Sequence, residues 1–270
     1  MQPQDLMLML FGTYALDEGV CLGAGGIIDT LGRAGVSAHA TRSTLSRMVG
    51  RDLLHRRRAG RKMYFGLTER SSAILRDGRA RIWHDGAVND RWDGTWTLLS
   101  FSLPESMQRE RHDLRSRLAW SGFGRVQGGL WIAPGRVDAA GIVSSLGLKA
   151  HARVFFARAE ETTDIAELVG DAYDIAEVGA RYEEFLRRWD GAQTTGAQTT
   201  GDPLAERLRL LAEWLDAIRR DPRLPVEHLP TGWPAARAQK VFRALAEAYR
   251  EPARAVAGDL LETLPLSSPG

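Results

Sequence analysis

The apolar positions of the first eighty residues change period along the chain. Residues 6–11 are apolar nearly all round and predict a buried first helix capped by Asp5. Ile27, Ile28 and Leu31 make a short helical period that stops at the glycines Gly32 and Gly35. After Ser37, a favourable N-cap, Thr41, Leu45, Met48 and Val49 fall on one side of a helix. Arg42, Ser43, Ser46 and Arg47 fall on another, as two i,i+4 pairs. The period then drops to two. Residues 55–58 and 61–67 read as strands joined at Ala59-Gly60, with Met63, Phe65 and Leu67 alternating with Lys62, Tyr64 and Gly66. Thr68 then caps a helix predicted to reach about residue 84. Three helices and a basic hairpin make the order of a winged helix-turn-helix.

Past residue 84 the pattern changes. A strand is predicted over 95–103, stopped by Pro104. A helix follows with Met107, Leu114, Leu118 and Trp120 on its mainly apolar side, broken by Gly122 and Gly124. Strands at 123–126 and 130–133 turn at Gly128-Gly129; a helix at 138–146 and a strand at 152–157 complete the order βαββαβ, that of a ferredoxin-like sandwich. Residues 163–189 read as helical, with candidate breaks at Gly170 and Gly179. The tandem GAQTTGAQTT at 191–200 is a polar, flexible loop to which no function is assigned. Helices at 203–219 and 234–249 flank DPRLPVEHLPTGWP, whose four prolines predict an extended connector. The expected fold is α+β and multidomain: a winged helix over 1–85, a ferredoxin-like domain over 90–160 and an all-α domain over 161–264, with a frayed end from 265.

Charge sharpens the first of these. The 270-residue chain has a net charge of only +2, yet residues 33–81 hold thirteen Lys or Arg against three Asp or Glu. That window is +10 and the remainder −8, an electrostatic footprint for a polyanion. A helix presenting Arg and small hydroxyls suits the major groove of double-stranded DNA, so His39, Thr41, Arg42, Ser43, Ser46 and Arg47 are the candidate DNA-reading residues. Arg57, Arg58, Arg61 and Lys62 of the hairpin are candidates for phosphate or the minor groove. The longest apolar run, 6–11, is far short of the roughly 18 residues that span a bilayer. A lone cysteine, Cys21, leaves no intrachain disulfide and no Cys-rich metal site, and the expected location is the cytoplasm.

Three segments together resemble one family. SAHATRSTLSRMV with GRKMYFGLT, then WTLLSFSLPE with RxxLRSRLxxxGFGRVxGGLWIAP, then DPxLPxEHLPxxWP look like PaaX-type regulators, bacterial repressors of the phenylacetate degradation operon. The middle segment is the most specific, and the resemblance runs from about residue 5 to 250. It implies an N-terminal winged helix, a central domain similar to the CRISPR adaptation nuclease fold and an α-helical C-terminal domain. It also implies a homodimer released from its operator by an aryl-CoA thioester such as phenylacetyl-CoA. For such an effector, Arg109, Arg111, Arg115 and Arg117 are candidates to meet phosphates, and Trp92, Trp96, Trp120 and Trp131 to line an apolar slot.

Catalytic chemistry is not expected. The nuclease relatives place a metal-binding aspartate near the end of the first strand, whereas this one reads Leu98-Leu99-Ser100-Phe101-Ser102, without a carboxylate before Glu105. A hydroxyl is a poor anchor for a hard cation. The six histidines form no HExxH, the glycines near 23–26 and 122–128 fit neither a P-loop nor a dinucleotide fingerprint, and no GxSxG occurs. The sequence predicts a non-enzyme with no catalytic residues, no metal and no cofactor. The alternative reading is a metal-dependent nuclease targeted by a winged helix.

Overall fold

A computed structural model describes residues 2–126, 129–193 and 201–266. The fold is α+β, with two four-stranded antiparallel sheets and eleven α-helices among the described residues. The chain forms two compact units. One comprises Met1–Asp85, Phe185–Asp216 and Lys240–Gly270; the other comprises Gly86–Glu184 and Ala217–Gln239.

The first unit starts with α1 (Pro3–Tyr14), β1 (Val20–Gly23), α2 (Ala24–Arg33), α3 (Ala38–Gly50), β2 (Leu54–Ala59), β3 (Lys62–Leu67) and α4 (Glu69–Ala80). Asp5 does not precede α1 as its cap. Pro3 opens the helix, and Asp5 reaches back from its first turn to accept from the Gln2 N–H at 3.0 Å. Ser37 does cap α3, its Oγ accepting from Ala40 N at 3.2 Å, and Thr68 caps α4 by accepting from Ser71 N. Met7, Leu10, Phe11, Ile27, Leu31 and Met48 are fully buried, so the apolar stripes of the first helices face inward.

Two strands escaped the pattern. β1 inserts beside β3, and a short C-terminal strand, β8 (Thr263–Pro265), pairs with β1, giving the order β2-β3-β1-β8. Residues 263–265 are therefore held in a sheet, while 267–270 lie outside the described residues. On β3 the buried side is Tyr64 and Gly66; Met63, Phe65 and Leu67 are half-buried. Gly66 leaves room there for His55 and Cys21, whose side chains would have to shift for a Cβ, which would sit 2.5 Å from His55 Nε2 and 2.7 Å from Cys21 Sγ.

In the second unit β4 (Trp96–Phe101), α5 (Gln108–Trp120), β5 (Gly124–Arg125), β6 (Leu130–Pro134), α6 (Ala139–Ser145) and β7 (Ala152–Ala157) follow in that order. Their antiparallel sheet runs β5-β6-β4-β7, with Leu98 opposite Ile132 on one side and Phe155 on the other. Both sheet faces are packed over β4 and β6, while Phe155 and Phe156 of the edge strand β7 are exposed. Leu99 and Ala133 pack with Leu114, Leu118 and Val143. Trp96 and Ile132 pack with Val169 and Leu224 on the opposite face, beneath α7 (Ile165–Ala172). Trp120 does not join the apolar side of α5 but is 39% exposed, because the helix ends there and Gly122 turns the chain with φ +82°. Of the turn expected at Gly128-Gly129, Gly128 lies outside the described residues; Gly129 has φ +83°.

The helical region after residue 163 breaks neither at Gly170 nor at Gly179. It breaks at Tyr173, after which Asp174 caps α8 (Ile175–Trp189) by accepting from Glu177 N at 2.8 Å. Gly179 instead lies under the Trp233 ring, where a Cβ would come within 3.1 Å. α9 (Pro203–Ile218), α10 (Ala235–Ala248) and α11 (Arg250–Leu260) complete the chain, so the residues expected as one helical domain are divided between the two units. The connector at 221–234 forms no α-helix, holding one 3-10 turn, Val226–His228, and left-handed residues at Arg223 (φ +55°) and Gly232 (φ +78°). Of the GAQTT duplication, residues 194–200 lie outside the described residues.

Candidate nucleic-acid interface

α3 carries two chemically distinct sides. Thr41, Thr44, Leu45 and Met48 are buried, while His39, Arg42, Ser46 and Arg47 are exposed and Ser43 is half-buried. Thr41, expected beside the DNA, is 0% exposed and packs inward, in keeping with its helical spacing from Leu45 and Met48. Arg47 lies along its own helix, its guanidinium donating to Ser43 Oγ at 3.3 Å and to Thr44 Oγ1 at 2.9 Å. Arg42 has no hydrogen-bond or ion-pair partner among the described residues. The open face of α3 therefore offers one uncommitted guanidinium, one held against the helix, an imidazole and a hydroxyl.

The hairpin corrects the sequence reading in a way that alternation explains. Along β2, Arg56 and Arg58 are exposed on one face, and Arg57 is half-buried on the other. Arg57 donates to Pro265 O of the C-terminal strand at 3.0 Å. Lys62 and Tyr64 share that second face, and both bond to Glu262: Lys62 Nζ to Oε2 at 2.7 Å and Tyr64 Oη to Oε1 at 2.7 Å. These bonds, that of Lys62 first, hold the Glu262 carboxyl below its ordinary value; the same carboxylate pushes the Lys62 ammonium and the Tyr64 phenol up. Arg57 and Lys62 are thus engaged by the C-terminal segment, whereas Arg56, Arg58 and Arg61 form the open basic set. Among the described residues Arg58 donates to Gly60 O alone, within its own turn, where Gly60 has φ +59°. Sequence reasoning missed Arg56 because it grouped the run by charge; the period of two would have separated it from Arg57.

The candidate effector residues do not assemble. Arg109 and Arg115 are exposed along α5. Arg111 is spent on the main chain, donating to Leu103 O at 2.6 Å, and Arg117 donates to Ser145 Oγ at 2.7 Å. Trp96 is 3% exposed in the sheet core, and the half-buried Trp92 lies edge-on to it at 5.1 Å, donating its indole N–H to Thr95 O at 2.7 Å. Trp120 and Trp131 alone among the predicted aromatics line a common groove. No three His, Cys, Asp or Glu among the described residues are grouped to hold a metal ion, and no helix among them is long and apolar enough to cross a membrane.

Known proteins match this chain region by region. The PaaX-like protein family matches residues 2–71, the PaaX protein central Cas2-like domain residues 89–169, and the PaaX-like protein C-terminal domain residues 173–258. The chain is 24% identical over 240 residues to the transcriptional repressor PaaX of Escherichia coli (strain K12), covering 85% of this chain and 74% of that protein. A solved structure, uncharacterized protein Rv0674 from Mycobacterium tuberculosis, is similar with a TM-score of 0.56 at 22% identity, over 93% of this chain and 95% of that one. At that identity the likeness concerns the fold.

Proposed function

This chain belongs to the PaaX family, and from that premise we propose that it is a DNA-binding transcriptional repressor. In this reading the first unit carries a winged helix-turn-helix and β4 to β7 with their helices form a ferredoxin-like sandwich. The observation that carries the reading is the two-sided α3: an apolar and threonine-lined back, and a front bearing Arg42, His39, Ser46 and Arg47 next in sequence to the exposed Arg56, Arg58 and Arg61. A helix of this kind enters a major groove while a basic hairpin meets the adjacent backbone.

Repression requires an address of useful length, and one such module reads too few base pairs. A homodimer on an inverted repeat supplies two half-sites spaced by about one helical turn or its multiples. The regulated genes are those of aromatic, phenylacetate-type catabolism, and release follows binding of an aryl-CoA thioester such as phenylacetyl-CoA. A ligand releases DNA only if it binds the DNA-incompetent arrangement better; tenfold release needs about 1.4 kcal/mol of coupling. Nuclease activity is not favoured, since β4 ends without a carboxylate.

The experiment is fluorescence anisotropy on promoter DNA from the gene's own neighbourhood, with scrambled DNA as control. Specific retention, relieved by phenylacetyl-CoA and not by phenylacetate, is the expected result. Equal affinity for both DNAs refutes the repressor reading, and loss of supercoiled plasmid in Mg²⁺ or Mn²⁺ replaces it with the nuclease.

A further inference from the structure

A groove of about 580 Å³ lies within the second unit, between the end of α5, strand β5, the start of α8 and residues 219–222. We infer that this groove is a binding site for a ligand that combines a flat apolar group with a carboxylate or phosphate. Its volume is that of an ordinary small-molecule site. Its two kinds of lining fit the two parts of such a ligand.

The charged part of the lining leaves one guanidinium open. Arg125, Arg181, Arg219 and Arg220 face it, against Asp174 and Glu177. Glu177 is shared, bonding Arg181 at 2.5 Å and lying 3.5 Å from Arg220, and Asp174 is committed to capping α8. The Arg125 side chain, by contrast, is exposed and has no hydrogen-bond or ion-pair partner among the described residues. A carboxylate or phosphate supplies the missing acceptor, in the planar geometry guanidinium favours.

The apolar part is supplied by Trp120, 39% exposed, with Trp131 and Tyr173. These walls are fixed before any ligand arrives. Tyr173 Oη donates to Gly122 O at 3.2 Å and to Ile132 O at 2.7 Å. Gly124 lets the strand lie on that ring, since a Cβ would come within 2.6 Å of it and of Ala172 O. Opposite, Asp221 anchors the segment bearing Arg219 and Arg220, accepting from Tyr182 Oη and from Arg223 N at 2.7 Å. Preorganised walls of this kind lower the cost of binding. Two of the segments that carry the family resemblance, GFGRVxGGLW and DPxLP, converge here.

The chemistry fits two sources, an aryl-CoA thioester or a free aryl carboxylate, and the inference rests on the repressor reading only for the consequence of binding. The test is titration calorimetry on the full chain with phenylacetyl-CoA, CoA and phenylacetate, without DNA. At least one probe binds, and Arg125→Ala and Trp120→Ala each weaken it roughly tenfold or more, while Arg109→Ala, on α5 outside the groove, does not. Selective binding of phenylacetyl-CoA identifies the thioester, and equal binding of phenylacetate identifies the free acid. Failure of all three probes to bind, or wild-type affinity in both groove variants with folding unchanged by circular dichroism, overturns the site. Binding that leaves operator affinity unaltered supports the site and removes its regulatory role.

Discussion

Replacing Arg42 by alanine separates DNA reading from folding more cleanly than any other single change. Its side chain is exposed and makes no hydrogen bond or ion pair among the described residues, and alanine is the better helix former. Folding stability should move by no more than about 0.5 kcal/mol. Operator affinity should fall, because a bidentate base contact is worth about 1–3 kcal/mol, roughly 5- to 140-fold. On a two-fold dimer the substitution is made in both half-sites, so the combined loss spans roughly 30- to 20,000-fold if the sites are independent. Arg47 starts from a different state. To reach a base it must first release Ser43 and Thr44, at a net cost of about 0.5–1.5 kcal/mol per bond, so Arg47→Ala should lose less affinity than Arg42→Ala. The assay is anisotropy against operator and scrambled DNA over a salt series. Loss on operator alone with an unaltered salt slope marks a base contact; equal loss on both, with a slope flattened by about 0.9 per half-site, marks a phosphate contact. If Arg42→Ala binds operator as the wild type does, α3 is not the reading helix.

The same interface and its support yield further tests. Replacing Arg56, Arg58 and Arg61 together by alanine should flatten the log K against log salt slope by about 2.7 per hairpin, roughly 0.9 for each phosphate no longer neutralised, and an unchanged slope removes the hairpin from the interface. Glu262→Gln should steepen that slope, since it frees Lys62 for phosphate; its carboxyl is held low in the fold, so the stability it contributes is present above its unfolded value and disappears as pH falls through the folded one, a dependence that thermal melts across acidic pH should show weakened in the variant. Gly124→Ala should destabilise the second unit by about 1–3 kcal/mol in denaturant titration, because the clashing atoms include backbone; a neutral result means that β5 does not lie on Tyr173. Tyr182→Phe tests the buried pair: burial raises the Asp221 carboxyl and the tyrosine's hydrogen bond opposes that rise. With the folded value above the unfolded one, stability is fullest at low pH and declines as pH rises between the two, and removing the phenol should carry that decline to higher pH in melts.

Legibility followed the length scale of the signal. The caps Ser37 and Thr68, the α3 stripe, the β7 strand and the βαββαβ order depend on residues a few positions apart, and each was readable from spacing. β1 and β8 were not, since three or four residues carry no period and their pairing joins Leu22 to Thr263. The same limit explains the misplaced charges. Nothing near Lys62 or Arg57 in sequence announces Glu262 or Pro265, two hundred residues away, so a basic run looked uniformly available when two of its members were already engaged. Arginines on α5 were grouped as an effector site because they are neighbours in sequence, yet Arg111 and Arg117 close local main-chain and serine bonds. The groove instead draws on α5, β5, α8 and residues 219–222. Its guanidiniums come one or two from each of three distant segments, and no window of the sequence holds enough of them to register as a cluster. A small-molecule site built this way is legible only where glycines such as Gly122 and Gly124 sit beside aromatic and basic residues without forming a phosphate loop. That combination marks close backbone approach to a ring: here the ring is Tyr173, and the exposed Arg125 beside it lines the groove.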